Sequence, residues 1–225
     1  MVKFMYNKVL RFKHWYESRF SKILPLWAFL PLVGCFVLNA FVYWITQLLM
    51  AGAYHYDFTL PIDRKVPVIP GWISIYILSY AFWAINYIVI ARQNRRTCYR
   101  LVFADYFSKI VCGVFFIIIP TTNVRPEVIG SGVWEFLLKF IYLMDSPTNL
   151  FPSIHCLVSW LCAIGLRGTR VSTWYKVFSY AFAIAVCIST QLTKQHYIVD
   201  VFGGILLAEI SLLIGEYFVR RKNFT

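Results

Sequence analysis

The chain has 225 residues, of which 60% are hydrophobic, 19% aromatic and only 14% charged, and its mean hydropathy is +0.63. A soluble globular domain carries about 25% charged and about 45–50% apolar residues, so this balance excludes one, and so rich a supply of aromatics excludes disorder. The formal charge of +12 therefore has to be read loop by loop against a membrane before any nucleic acid is invoked.

A basic arm with Lys3, Lys8, Arg11, Lys13, Arg19 and Lys22 comes first. The first apolar segment runs from Leu26 to Leu49 and contains Pro31, Asn39, Thr46 and Gln47. It is too long for a signal-peptide core and no small-residue cleavage site follows, so it predicts an uncleaved span. Residues Ala53 to Pro70, with Pro61, Pro67 and Pro70, predict a loop or interfacial segment. Gly71 to Ile90 is the second span and carries no charge. The third, Leu101 to Ile119, holds Asp105 and Lys109 at i and i+4, where they pair on one helical face. Val133 to Met144 predicts a short amphipathic helix at the surface. Ser153 to Leu166 is a short fourth span, Trp174 to Leu192 the fifth and Ile198 to Val219 the sixth. The expected fold is all-α: one domain over residues 1–225, a polytopic membrane bundle of six transmembrane helices.

Charge asymmetry orients it. The arm, the loop after span two (Arg92, Arg95, Arg96, Arg100), the loop after span four (Arg167, Arg170, Lys176) and the tail (Arg220, Arg221, Lys222) alternate with the spans and share one side. The other side holds Arg64, Lys65, Arg125, Lys139 and Lys194. By the positive-inside rule both termini are cytoplasmic, in a cell membrane, and the basic residues meet anionic lipid rather than nucleic acid. The six cysteines form no CxxC pair and sit mostly in apolar runs, which speaks against a disulfide framework or a zinc site.

Of the four histidines, His14 lies in the basic arm and His55 in the first outer loop. His155 and His196 differ in their company. His155 opens span four in Phe151-Pro152-Ser153-Ile154-His155, and His196 precedes span six in Lys194-Gln195-His196-Tyr197-Ile198-Val199-Asp200. Both open onto the non-cytoplasmic side, as does Arg125-Pro126 after span three. His196 and Asp200 share a helical face at i and i+4, with Cβ atoms about 5–6 Å apart. A carboxylate there fixes the tautomer of His196 and frees its other nitrogen as a nucleophile. A second histidine can protonate a leaving oxygen, and an arginine fork matches phosphate oxygens. Ser153 adds a hydroxyl, and the N-terminus of span four adds N–H groups that favour an anion. This is a kit for phosphoryl transfer, with no carboxylate cluster suited to Mg²⁺. An Asp inside an apolar run is functional by default, although anchoring at the interface is the plainer alternative.

Phe151-Pro152-Ser153-Ile154-His155 resembles the P-S-x-H motif of the type-2 phosphatidic acid phosphatase superfamily. Ser189, His196 and Asp200 resemble its S-R-x5-H-x3-D motif, and Arg125-Pro126 the end of its K-x6-R-P motif. The resemblance implies a lipid phosphatase or phosphotransferase without metal or other cofactor, acting on a lipid phosphate through a phosphohistidine. It makes His196 the nucleophile, Asp200 its orienting partner and His155 the general acid, with Arg125, Ser153 and Ser189 near the phosphate. Two positions depart from the pattern: Ile118 stands where the lysine is expected and Thr190 where the arginine is. Lys194 is the candidate replacement for one of those charges and Lys139 the weaker one. Lipid headgroup transfer of the inositol phosphorylceramide synthase type is the alternative, and a non-enzymatic lipid-binding or transport protein a third reading.

Overall fold

The computed structural model describes residues 2–222; the side chains of residues 2–7, 9 and 12, Lys3 among them, lie outside that description. Helix α1 (Val2–Arg19) takes up the basic arm, where the sequence predicted no element. The long helices are α2 (Leu26–Leu49), α4 (Ile73–Ala91), α5 (Arg95–Ile118), α8 (Thr173–Leu192) and α9 (Ile198–Arg221). With the short turn that leads into α4, these five are long and apolar enough to cross a membrane. Between them come β1 (Tyr56–Asp57), the five-residue α3 (Pro61–Lys65), β2 (Thr121–Thr122), α6 (Val133–Met144) and α7 (Ile154–Ile164).

Helix α7 occupies the place of the expected fourth span and has only 11 residues. At 1.5 Å per residue it covers roughly half of a 30 Å hydrocarbon core. Its surroundings explain why that suffices. Leu157, Leu161, Cys162 and Ile164 are fully buried, and α7 packs against α4, α8 and α9. A helix sheathed by protein has no lipid thickness to match. The irregular chain before it is also buried at Asn149, Leu150 and Ser153, as non-helical backbone at membrane depth has to be.

Apolar burial gives little drive between helices in lipid, so close packing and polar contacts take over. Helix α9 supplies small residues for this. A Cβ on Gly204 would lie 2.6 Å from the Ser153 carbonyl oxygen, and one on Gly215 would lie 2.3 Å from that of Arg100. The backbone of α9 therefore touches the entry to α7 near one end and α5 near the other. Polar links join the helices elsewhere: Trp83 Nε1 donates to Ser159 Oγ at 2.8 Å. Lys109 Nζ lies 3.1 Å from Asp105 Oδ1, with both side chains almost fully buried, so the two charges predicted to pair do so.

The end of the bundle that carries the histidines is knitted by loops. Strands β1 and β2 pair in parallel, Tyr56 with Thr121 and Asp57 with Thr122. The Thr121 hydroxyl accepts from the backbone N–H groups of Leu150 and Phe151 at 3.0 and 2.9 Å. That hydroxyl clamps the segment leading into α7. Helix α6 lies across the same end, with Leu138 buried and Trp134, Phe136, Phe140 and Leu143 exposed.

Candidate functional site

The turn between α8 and α9 builds the first half of the site. Helix α8 ends at Leu192, and Lys194 then adopts a left-handed conformation (φ 51°). That reversal lets the Thr190 carbonyl accept from both Gln195 N (2.9 Å) and His196 N (3.1 Å). Such backbone costs a non-glycine residue roughly 1–2 kcal/mol, and here it is held from outside the turn. Lys194 Nζ donates to the Asp63 carbonyl at 2.6 Å. The Asp63 carboxylate accepts from Leu60 N (2.8 Å) and from Ile198 N (3.0 Å), an orphan donor of the first turn of α9. Burial lowers the Lys194 pKa, and the Asp63 charge works against that shift.

His196 leaves this turn 6% exposed, one turn before Asp200, which is 3% exposed. Asp200 Oδ2 accepts from the Tyr197 N–H at 2.9 Å and lies 3.6 Å from His196 Nδ1. The second distance exceeds hydrogen-bond length. It still places a carboxylate at one imidazole nitrogen and leaves Nε2 free of it. Burial pulls the His196 pKa down, but the Asp200 carboxylate beside the ring outweighs it, and the net shift is upward.

His155 stands at the first turn of α7, with its ring centroid 6.1 Å from that of His196. Its orientation is set by α4. The ring stacks on Tyr76 at 4.2 Å, its Nδ1 is 3.4 Å from the Tyr76 hydroxyl and its Nε2 is 3.2 Å from the Tyr80 hydroxyl. A cavity of about 300 Å³ opens beside both histidines.

Arg125 reaches the site through a neighbour. Nη2 donates to Gln195 Oε1 at 2.7 Å, Nη1 donates to the Asp145 carbonyl, and the guanidinium lies over the Tyr142 ring at 4.8 Å. Tyr142 donates to the Thr193 carbonyl at 2.8 Å, which docks α6 onto the His196 turn. Burial pushes the Tyr142 phenol up to about 12, with the Arg125 charge opposing.

The structure thus brings His155, His196, Asp200 and Arg125 together. It treats the other candidates differently. Ser153 is fully buried, caps α7 by accepting from Cys156 N at 3.3 Å, and donates its own N–H to the Asp200 carbonyl at 3.0 Å. Ser189 is fully buried and donates to the Val186 carbonyl at 2.7 Å. Lys194 spends its ammonium on Asp63, and Lys139 donates to the Gly130 carbonyl at 2.7 Å on the surface. None of these four lines the cavity, and neither do Arg125 and Asp200. Ile118 is 68% exposed on the outside of α5, and Thr190 is buried. Asp145, Gln195, Asp63 and Thr121 were not singled out in the sequence. For the two aspartates the one signal was scarcity, since the chain has only ten acidic residues, and Gln195 and Thr121 carried none. Among the described residues, no three His, Cys, Asp or Glu side chains cluster as a metal site requires.

The sequence model of the PAP2 superfamily matches residues 65–214, a stretch that includes Arg125, both histidines and Asp200. An uncharacterized protein of Methanocaldococcus jannaschii is 28% identical over 85 residues, which is 38% of this chain and 34% of that protein. The chain thus spans about a third of the length of that relative. No solved structure matches.

Proposed function

The chain belongs to the PAP2 superfamily, and from that premise we propose that it is a metal-independent lipid phosphatase working through a phosphohistidine on His196. The observation that carries the reading is the placement of His196, backed by Asp200 at Nδ1, and of His155 beside one cavity at one end of an apolar bundle. His196 Nε2 attacks phosphorus, the bond to the lipid oxygen breaks, and His155 hands that oxygen a proton. Water then attacks the phosphohistidine, returns a proton to His155 and releases phosphate. Asp200 holds the tautomer and offsets the charge that forms on the ring. Arg125 fixes the His196 turn through Gln195, Ser153 and Ser189 position α7 and α8, and Lys194 holds the reversal on which His196 sits.

The proposed setting is a cell membrane, with α7 as the fourth of six membrane segments, both termini cytoplasmic and the histidines on the extracytoplasmic side. Arginine and lysine placement supports it: the ends of α4, α7 and α9 opposite the histidines carry Arg92, Arg167, Arg220 and Arg221. A phosphatase of this build keeps the lipid tail in the bilayer while the phosphate enters the cavity. Transfer to an alcohol instead of water is the second reading, favoured by the lack of Lys or Arg among the described residues that line the cavity.

Phosphate release from a panel of lipid phosphates in detergent with EDTA tests the proposal. Wild type releases phosphate. Removing the nucleophile in His196→Ala lowers kcat by about 10⁴-fold or more, and His155→Ala by about 10²–10⁴-fold. Release that EDTA abolishes, or that survives in either folded variant, contradicts the mechanism. A new phosphodiester in the presence of an alcohol selects transfer over hydrolysis.

A further inference from the structure

Each histidine of the site is backed by a carboxylate, His196 directly and His155 through a tyrosine. Asp200 Oδ2 stands 3.6 Å from His196 Nδ1. The ring nitrogens of His155 face two hydroxyls of α4 instead, Tyr76 at Nδ1 (3.4 Å) and Tyr80 at Nε2 (3.2 Å). The two tyrosines differ in exposure. Tyr80 is 51% exposed and Tyr76 only 1%, so Nε2 lies on the open side of the ring and Nδ1 on the buried side. Behind Tyr76 stands Asp145, whose Oδ2 is 3.5 Å from the Tyr76 hydroxyl. The Tyr43 hydroxyl donates to Asp145 Oδ1, and Arg125 Nη2 lies 3.8 Å from Oδ2.

The count of donors and acceptors gives this chain one direction. A carboxylate beside a guanidinium only accepts. The single hydroxyl proton of Tyr76 is therefore aimed at Asp145, and the Tyr76 oxygen is left to accept from His155. Only a ring with its proton on Nδ1 can donate there. The Tyr80 hydroxyl is not directed in this way: it can donate to a bare Nε2 or accept from a protonated one. Both contacts of the Tyr76 hydroxyl are long, as catalytic contacts often are until substrate binds. The stacking of the two rings at 4.2 Å, 23° from parallel, holds His155 against Tyr76.

We propose that Tyr76 and Asp145 are positioning residues for His155: acting through the Tyr76 hydroxyl, the Asp145 carboxylate keeps a proton on Nδ1 and makes Nε2 the nitrogen that exchanges protons with the substrate. The kinetic consequence rests on the reading of His155 as general acid; the tautomer does not. In the first half-reaction the bond from His196 to phosphorus forms, the P–O bond to the lipid breaks, and the departing oxygen takes the proton of His155 Nε2. In the second, water attacks phosphorus, the P–N bond breaks, and a proton of that water returns to Nε2. Nδ1 keeps its proton throughout.

Ring-nitrogen NMR on protein carrying isotope-labelled histidine reads the tautomer, with the His155 signals identified by their loss in His155→Gln. In wild type the neutral ring holds its proton on Nδ1. In Tyr76→Phe, which keeps the stacked ring and loses only the hydroxyl, the two tautomers mix. An unchanged tautomer in Tyr76→Phe overturns the inference. Turnover is then compared on an alkyl lipid phosphate, whose leaving oxygen needs a proton, and on a nitrophenyl phosphate bearing the same tail, whose phenolate leaves without one. Tyr76→Phe lowers kcat about tenfold or more on the first, a share of the about 10²–10⁴-fold that a general acid contributes, and less than about threefold on the second. Asp145→Asn shows the same preference for the nitrophenyl ester and adds nothing to that preference in the Tyr76→Phe background, because both act through one hydroxyl. Equal losses on the two substrates in Tyr76→Phe, or preferences that multiply in the double variant, overturn the inference while the phosphatase reading stands. If His155→Ala loses kcat equally on both substrates, or wild type turns over neither, the general-acid reading fails, and the tautomer measurement alone decides the inference.

Discussion

At the residue scale the account turns on the pair His196 and Asp200. Burial alone would keep His196 neutral, yet the adjacent carboxylate draws its pKa above the ordinary 6.5. The nucleophile has to be neutral, so kcat/KM falls as pH drops through this raised value, and the acid limb of the profile lies above 6.5. Asp200→Asn removes the largest upward pull and leaves burial opposed only by Cys156 and Asp145. Its acid limb therefore moves to lower pH while its turnover falls, as a pH series on both proteins would show. An unmoved limb would detach Asp200 from His196.

The pair was legible in the sequence because both residues lie within one helical turn, where spacing alone dictates proximity. Arg125 was legible as a charge and not as a contact, since its reach to Gln195 depends on where the loop after α5 returns. Lys194 shows the opposite case. Two residues from His196 in sequence, it looks like a phosphate ligand, but the left-handed turn points its side chain to Asp63, more than a hundred residues earlier. A turn conformation decides that, and no spacing rule reports it.

At the element scale, five of the expected membrane segments were legible because lipid imposes length and apolarity on each of them. Most of their ends agree: the predicted fifth span begins at Trp174 and α8 at Thr173, and both end at Leu192, whereas α5 begins at Arg95, ahead of the predicted Leu101. Helix α7 escapes that logic, because protein surrounds it and its length follows from packing. The loop from Asp145 to Ser153, which positions His155, was beyond spacing rules altogether. Its conformation depends on hydrogen bonds to Thr121, Thr46 and Asp200, all distant in sequence.

The close approach of α9 to α7 carries the site's geometry between elements. Ser153 N–H donates to the Asp200 carbonyl at 3.0 Å, and Gly204, one turn later, leaves room for the Ser153 carbonyl. An added methyl at Gly204 meets backbone, which cannot swing aside. Gly204→Ala is expected to cost about 1–3 kcal/mol of stability and, in the same protein, to reduce kcat by moving His155 relative to His196. Gly215→Ala imposes a similar steric insult against Arg100, at the far end of α9. It lowers thermal stability in detergent with little change in kcat per folded molecule. Equal losses of kcat in the two variants would mean that α9 sets the site geometry as a whole and not through Gly204.

At the scale of the whole molecule, the bundle has two unlike ends. One carries arginines in exposed networks, such as Arg96 with Glu216 at 2.8 Å and Arg167 with Glu209 at 2.7 Å. The other gathers β1, β2, α6 and the two histidine-bearing junctions around one cavity. Composition alone announced a membrane bundle, and the motifs announced which end gathers the two histidines. What they did not reveal is the cavity wall, because Asp145 and the aromatics of α2 and α4 meet only when three loops close over them.

The central claim is a covalent phosphate on His196, and trapping it is the most direct test. The purified protein is mixed with a radiolabelled lipid phosphate in EDTA and quenched within one turnover. Protein-bound label is then assayed for stability and mapped by peptide mass spectrometry. The account predicts an acid-labile, alkali-stable phosphate on the peptide containing His196, absent from His196→Ala and accumulating in no other peptide. Turnover without any bound phosphate, or label that persists in His196→Ala, would contradict it.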